Sequence, residues 1–500
     1  MTTAPHRRAA AKVRPQNHLL EEAILPVRLR HRTIGALGFV WIWIGMAVII
    51  ATFQLGASGV AGLPLPLVLL TILLANLALA VVMTLTADIG TEHGLSFAVY
   101  LRAPFGTLGT HLPAVSRGIV AAIWFGVQTY LGALAINGIV EYFTGFSAWF
   151  LWYVVFAVVQ IVNTAMGIKA VERLAAIAAP AIIGVSVWMY FTLEDLARAQ
   201  GENIWTFVGD TPLSAFSLFV ANMAFWSALA VDIPNLTRFV KTESGARSFA
   251  KRNRNVLAAQ FIALPVTQTF VALIGAVSFI ATGDWNPITV IQGQSAGFTL
   301  VVLLALVILA QWSTNNAANL IPAALTFVNV GAPRLQYKWG VALAGVVGTL
   351  AMPWLILNNL FTFLGYYGAL LSAVGGIMIA DYYVLRRRRL NVPALYEAQG
   401  QFRFTGGFNP AGLIAWVVAG GLALWQLQYA YLVGLPVGFL VYLLLMKIWI
   451  APRHPQAEIT SGYSDEYLGT SVGKEWTYDQ AIGLQRVPAG SEIGVTREDL

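Results

Sequence analysis

Residues 298–330 read FTLVVLLALVILAQWSTNNAANLIPAALTFVNV, a run without a single charged side chain. A helix rises 1.5 Å per residue, so about 20 apolar residues cross a hydrocarbon layer of roughly 30 Å, and this run is long enough to do so. Its middle is nevertheless polar: Ala310-Gln311-Trp312-Ser313-Thr314-Asn315-Asn316-Ala317-Ala318-Asn319. Polar groups inside a membrane are costly and belong on the protein-facing side of a span, so this segment looks inward toward other helices or a cavity. Ala310, Ser313 and Thr314 fall at i, i+3 and i+4, which puts a carbonyl and two hydroxyls near one point. A bare hard cation takes oxygen ligands of that kind. Ser and Thr hydroxyls bonding back to their own helix remain the competing reading. Asn315, Asn316 and Asn319 are harder to accommodate blandly, because each carboxamide brings two donors and an acceptor that need partners.

Working outward, further runs of similar character occupy residues 33–56, 64–84, 114–140, 147–166, 174–192, 214–230 and 256–282 before it, and 340–354, 356–385, 411–427 and 433–450 after it. The expected fold class is an all-α integral membrane protein of about twelve transmembrane helices. The whole chain is 58% hydrophobic and 11% charged, against roughly a quarter charged for a soluble globular chain, so its length counts helices rather than soluble domains. The connections on one side hold a single basic residue, Arg198, whereas those on the other hold Arg238, Lys241, Arg247, Lys251, Arg252 and Arg254, and then Arg386 to Arg389. Positive charge stays in the cytoplasm, which predicts a multi-pass protein of the bacterial cytoplasmic membrane with both termini inside. Residues 1–32 carry Arg7, Arg8, Lys12, Arg14, Arg28, Arg30 and Arg32 and read as a cytoplasmic tail; the apolar run behind them is too long for a signal-peptide core. Residues 451–500 read as a cytoplasmic tail with little fixed structure.

The absence of cysteine removes disulfides, thiolate metal sites and cysteine nucleophiles. His6, His18, His31, His93, His111 and His454 all lie outside the runs, and Asp88, Glu92, Arg117, Glu141, Asp232 and Asp381 fall near run ends. General acid–base catalysis needs a titratable group in reach, so an intramembrane enzyme is disfavoured. The net charge of +7 is read as topology-setting charge rather than a nucleic-acid footprint. A cargo held between these spans is expected to be uncharged, or an anion met by helix amino ends.

The spans offer aromatic faces and amides instead. Trp124 and Gln128 lie four residues apart and share a helix face. A planar ring carrying N–H and C=O groups would satisfy the carboxamide beside a stacking indole; a Gln bonding a neighbouring helix and a Trp packed in the bundle is the bland alternative. Gly45 in the first run, and Asn222-Met223-Ala224-Phe225-Trp226-Ser227 in the sixth, are weak points where a helix would break and free backbone groups.

At these residues the chain resembles the nucleobase-cation symporter family, and within it the bacterial hydantoin transporters. The resemblance covers nearly all of the chain and is carried by WFGVQT at 124–129, IPNLTRF at 233–239, WNP at 285–287, WSTNNAAN at 312–319 and GIMIADY at 376–382. It implies a leucine-transporter-like fold, with inverted repeats over 33–192 and 214–385 and two appended helices over 411–450. It further implies a substrate stacked between Trp124 and Trp226, beside Phe225, with its edge read by Gln128 and Asn319. Sodium is implied at the carbonyls of Gly45, Val48 and Ala310 and the hydroxyls of Ser313 and Thr314. One departure is Ile49, where the hydantoin transporters carry a glutamine; a neutral hydrogen bond of that kind is worth about 1 kcal/mol. The implied activity is import of a neutral nucleobase-like, hydantoin-like or allantoin-like ring with sodium, or with a proton as many family members use, by a monomer in the lipid bilayer without a cofactor. A carrier of the same fold for a thiamine-like vitamin or an amino acid is the alternative.

Overall fold

The computed structural model describes residues 19–459 except 244, 247 and 358, together with 476–479 and 483–486. Arg7, Arg8, Lys12, Arg14, Arg247, His6, His18 and much of the carboxy-terminal tail lie outside the described residues. Each apolar run folds as a helix, since in lipid only a helix or a closed barrel satisfies its own backbone.

The first run does not stay in one piece. Helix α1 (Ala36–Ala47) ends at Val48 (φ −89°, ψ 73°), Ile49 is extended (φ −118°, ψ 152°), and α2 (Ile50–Val60) follows. The break thus lies three and four residues beyond Gly45, which sits inside α1. Helix α3 (Leu65–His93) begins on Pro64 and ends at Gly94 in the left-handed region (φ 70°), which glycine adopts without a Cβ penalty. It runs past the predicted end at residue 84 because Asp88 and Glu92 are paired rather than solvated: Arg252 donates from Nε and Nη2 to the two Asp88 oxygens, each at 2.7 Å, and lies 2.7 Å from Glu92.

Next come α4 (His111–Thr144), α5 (Trp149–Ala165), α6 (Ile168–Ala199) and α7 (Ala215–Asp232). α7 is continuous, which corrects the expected break at 222–227. Its polar side chains are satisfied sideways: Asn222 donates to Asn76 (2.9 Å) and accepts from Gln268 (2.8 Å), and Ser227 bonds back to the Ala224 carbonyl (2.7 Å). The remaining crossings are α8 (Phe249–Thr282), α9 (Gly297–Gly331), α10 (Tyr337–Thr349), α11 (Thr362–Leu385), α12 (Pro410–Trp425) and α13 (Leu427–Arg453). With α1 and α2 counted as one broken span, eight of these segments are long and apolar enough to cross a membrane by themselves, and α5, α6, α10 and α12 bring the described helices of the bundle to about twelve, in line with the hydropathy reading.

The helices form one packed bundle in which α4 lies against α9 and α10, α3 and α11 flank α7, and α1 leans on α6 and α9. α2 and α8 meet backbone to backbone: a Cβ on Gly56 would lie 1.9 Å from the Ala272 carbonyl oxygen, and one on Gly275 would lie 2.1 Å from that of Phe53. Small residues let membrane helices approach in this way. Large apolar side chains such as Phe143, Phe150, Val162, Val417 and Leu440 remain exposed on the outside, where lipid would cover them.

The expectation of little fixed structure from residue 451 onward needs correction within the described residues. Gln456 and Glu458 are buried against Arg386, which donates to Gln456 Oε1 (2.6 Å) and lies 3.3 Å from Glu458. Strands β1 (Trp476–Asp479) and β2 (Gly483–Arg486) pair antiparallel, with Trp476 buried. A buried guanidinium demands counter-charge, and Asp381 (2.8 Å) together with this tail supplies it.

Candidate functional site

The break between α1 and α2 borders a small cavity of about 30 Å³, walled by α1, α4, α7 and α9. Trp124, Gln128, Trp226, Asn319, Phe225 and Ile49 all line it, and Met46, Arg117 and Thr314 complete the wall around them. Pockets that hold small molecules are mostly apolar with a few placed polar groups, and this lining has that character.

Phe225 stands between the indoles, edge-on to Trp124 (centroids 5.8 Å apart) and to Trp226 (4.9 Å). Trp226 is fixed by a lateral relay of amides. Its Nε1–H donates to Gln268 (2.5 Å), Gln268 donates to Asn222 (2.8 Å), and Asn222 donates to Asn76 (2.9 Å), tying α7 to α8 and α3. On the other flank Tyr367 donates to the Phe225 carbonyl (2.8 Å). The two indoles are therefore packed into the frame, and both residues line the cavity.

The amide edge is built on α9. A π-turn over Asn316–Leu320 adds a residue to the helical turn, a distortion common at functional sites, and carries Asn319 to the cavity. Asn319 donates to Asn315 Oδ1 (2.8 Å), and Asn315 in turn donates to the Phe125 carbonyl (3.0 Å), Thr129 (3.1 Å) and Gln160 (2.8 Å). These bonds give Asn315 and Asn319 partners, and Asn316 donates to Asn163 (2.5 Å) while its own Oδ1 is buried without one. Gln128 differs: its Oε1 is buried with no partner. A buried acceptor left unmade costs about 1–3 kcal/mol, which a donor on a bound molecule would recover.

Beside this cavity lie the oxygens singled out for a cation. Thr314 donates its hydroxyl to the Gly45 carbonyl across the α1–α9 contact, so it does not bond back to its own helix. A Cβ on Gly45 would sit 3.2 Å from Ser313 Oγ, which places both hydroxyl residues of α9 against α1. Val48 and Ala310 meet on an adjoining cavity together with Gln311, whose Oε1 is buried without a partner. Among the described residues no group of three His, Cys, Asp or Glu side chains is placed to hold a metal; the donors here are carbonyls and hydroxyls, which suit a hard monovalent cation.

Sequence pattern does not single out Arg117, Trp43, Gln268 or Asn76. Arg117 falls near the end of an apolar run, yet it lies on the cavity wall, paired through Nε to Asp232 at 2.9 Å with both side chains buried. A signal is present: seven residues before Trp124 is two helical turns, hence the same face. What conceals it is its counter-ion on α7, which no local pattern connects to α4. Trp43 tilts against Trp226 at 5.9 Å and backs the indole from α1.

A family described as permeases for cytosine/purines, uracil, thiamine and allantoin matches residues 26–449. A hydantoin permease of Microbacterium maritypicum is 29% identical over 476 residues, covering 94% of this chain and 95% of its own. An allantoin permease of Bacillus subtilis is 26% identical over 482 residues, 89% and 95% of the two chains. Among solved structures, a nucleobase-cation-symport-1 family transporter in a closed conformation with bromovinylhydantoin bound superposes with a TM-score of 0.83 at 28% identity, over 90% of this chain and 100% of that one.

Proposed function

The chain belongs to the family of permeases for cytosine/purines, uracil, thiamine and allantoin, and from that premise we propose that it is a cation-coupled symporter for a neutral heterocyclic ring. Its fold is leucine-transporter-like, with an all-helical membrane bundle, and it is a multi-pass membrane transporter of the nucleobase, hydantoin and allantoin type rather than an enzyme. The finer reading is that sodium and a hydantoin-like, allantoin-like or nucleobase-like ring enter together by alternating access, in a monomer of the bacterial cytoplasmic membrane with both termini inside.

The observation that supports this reading is a cavity lined by two indoles and two carboxamides beside the α1–α9 contact in which Thr314 donates to the Gly45 carbonyl. Trp124 and Trp226 supply faces for a ring, Phe225 closes the space between them, and Gln128 and Asn319 supply an edge. Ile49 contributes an apolar contact from the extended segment. The oxygens of Gly45, Val48, Ala310, Ser313 and Thr314 would hold sodium where α1 rests on α9. An ion there strengthens the α1–α9 contact that frames the cargo cavity, so ion and cargo favour the same conformation and each raises the other's affinity by the same factor.

The test is uptake into proteoliposomes. Labelled hydantoins, allantoin, uracil, cytosine and purines are offered with an inward sodium gradient, with a proton gradient, and with neither. Accumulation of at least one ring compound that depends on the sodium gradient supports the proposal; accumulation driven only by protons replaces the ion. If no ring compound on the panel is accumulated or bound, the assignment of this cavity is wrong.

A further inference from the structure

Arg117 is the one charged side chain on the cargo cavity wall among the described residues, and its bonds are unevenly distributed. Nε lies 2.9 Å from Asp232 and donates to the Ala228 carbonyl (3.1 Å), and Nη2 donates to the Ala318 carbonyl (3.2 Å). Nη1 is buried with no partner, while the residue as a whole is 2% exposed. A guanidinium has five N–H donors in a rigid fork and no acceptor, and it stays charged at any physiological pH. Partners on α7 and α9 thus fix the fork, and three N–H donors, both on Nη1 and one on Nη2, remain unused beside a cavity that also holds an unused acceptor, Gln128 Oε1.

We propose that Arg117 is a specificity-determining residue that reads a carbonyl oxygen of the cargo, so that the site selects rings with an imide or ureide edge, –CO–NH–CO– or –NH–CO–NH–, over rings that present an amino group. The inference rests on the cargo-site reading given above. The chemistry is one of matched signs: Gln128 Oε1 accepts an N–H from the ring, and the Nη1 fork donates to the neighbouring C=O. An exocyclic amino group pointed at Arg117 meets only donors and leaves both partners unsatisfied, which is the strongest form of discrimination a polar pocket has. Asp232 balances most of the positive charge, so the pair suits a neutral or weakly acidic ring rather than a full anion, and a cationic cargo is opposed outright. Ile49 offers the ring no hydrogen bond from its side chain, and the Arg117 fork provides a donor from another part of the same wall.

The experiment uses the purified full-length protein and the dissociation constants of uracil, 5-benzylhydantoin, allantoin and cytosine, measured by calorimetry. Wild type is expected to bind at least one imide or ureide ring more tightly than cytosine. Arg117→Gln, whose carboxamide can accept as well as donate, is expected to weaken the preferred ring by roughly 10- to 100-fold and to narrow its ratio to cytosine. Because that variant leaves Asp232 buried without its partner, the double variant Arg117→Gln, Asp232→Asn is measured beside it, and Arg117→Lys is expected to keep the direction of the preference. Trp124→Ala is the control: it should weaken all rings and leave the ratio unchanged. A wild type that prefers cytosine, or folded Arg117 variants that weaken every ring equally, would show the residue to be structural only. A wild type that binds no ring at all instead strikes the proposed function, and the two failures are therefore distinct.

Discussion

Trp124 and Trp226 meet the same phenylalanine edge-on, and Trp226 is further held by the hydrogen bond from its indole nitrogen to Gln268, so both rings are restrained before a cargo arrives. A ring that stacks on such an indole gains area burial plus about 0.5–1.5 kcal/mol. Trp124→Ala should therefore raise the cargo dissociation constant roughly tenfold or more, and Trp124→Phe distinctly less, as read by quenching or calorimetry. Thr314 makes a separable contribution. Its hydroxyl donates to the Gly45 carbonyl, and Thr314→Val keeps the shape while removing the oxygen. The expected outcome is a sodium concentration for half-maximal cargo binding raised by roughly tenfold, at a cost to folding stability of about 1 kcal/mol. Cargo binding whose sodium dependence is unchanged in that variant would remove Thr314 from the ion site.

The two halves of the first crossing behave as different elements. α1 leans on α6 and α9, whereas α2 is locked to α8 through an approach that only glycine permits, with no room for a Cβ on Gly56 or Gly275. The Ile49 segment between them is extended and has left the helical hydrogen-bond ladder, so it is the natural place for the two halves to move relative to each other. Gly275→Val would force α2 off α8; overpacking costs about 1–3 kcal/mol, and more where the clash is with backbone. The melting temperature in detergent should fall by several degrees, whereas Gly421→Ala, with open space around its missing Cβ, should leave it nearly unchanged. The π-turns in α8 and α9 are a second device at this scale. By widening a turn, the one at Asn316–Leu320 lets Asn315 bond three neighbours while Asn319 still reaches the cavity.

For the whole molecule, orientation is the property most open to direct measurement, because the chain has no cysteine of its own. A membrane-impermeant maleimide applied to intact cells should label Glu202→Cys, in the α6–α7 connection, and spare Lys251→Cys at the start of α8; the reverse pattern would invert the topology. The buried cluster of Asp88, Glu92 and Arg252 and the Arg386 cluster, with Asp381 and the Glu458 of the tail, lie on that same basic side. Much of this organisation is legible in the chain itself. Uncharged runs fix the crossings because hydrocarbon tolerates only self-satisfied helices, and the polar island in residues 310–319 marks an inward face because lipid would reject it. Helical periodicity likewise puts Trp124 with Gln128, and Ser313 with Thr314. Pattern cannot say which helix receives each of those faces. The break falls at Val48 and Ile49 rather than Gly45, α7 stays whole because its amides are satisfied from α3 and α8, and Arg117 reaches the cavity because Asp232 on another helix neutralises it. The partners that satisfy these groups lie far away along the chain, so only the tertiary structure decides the outcome.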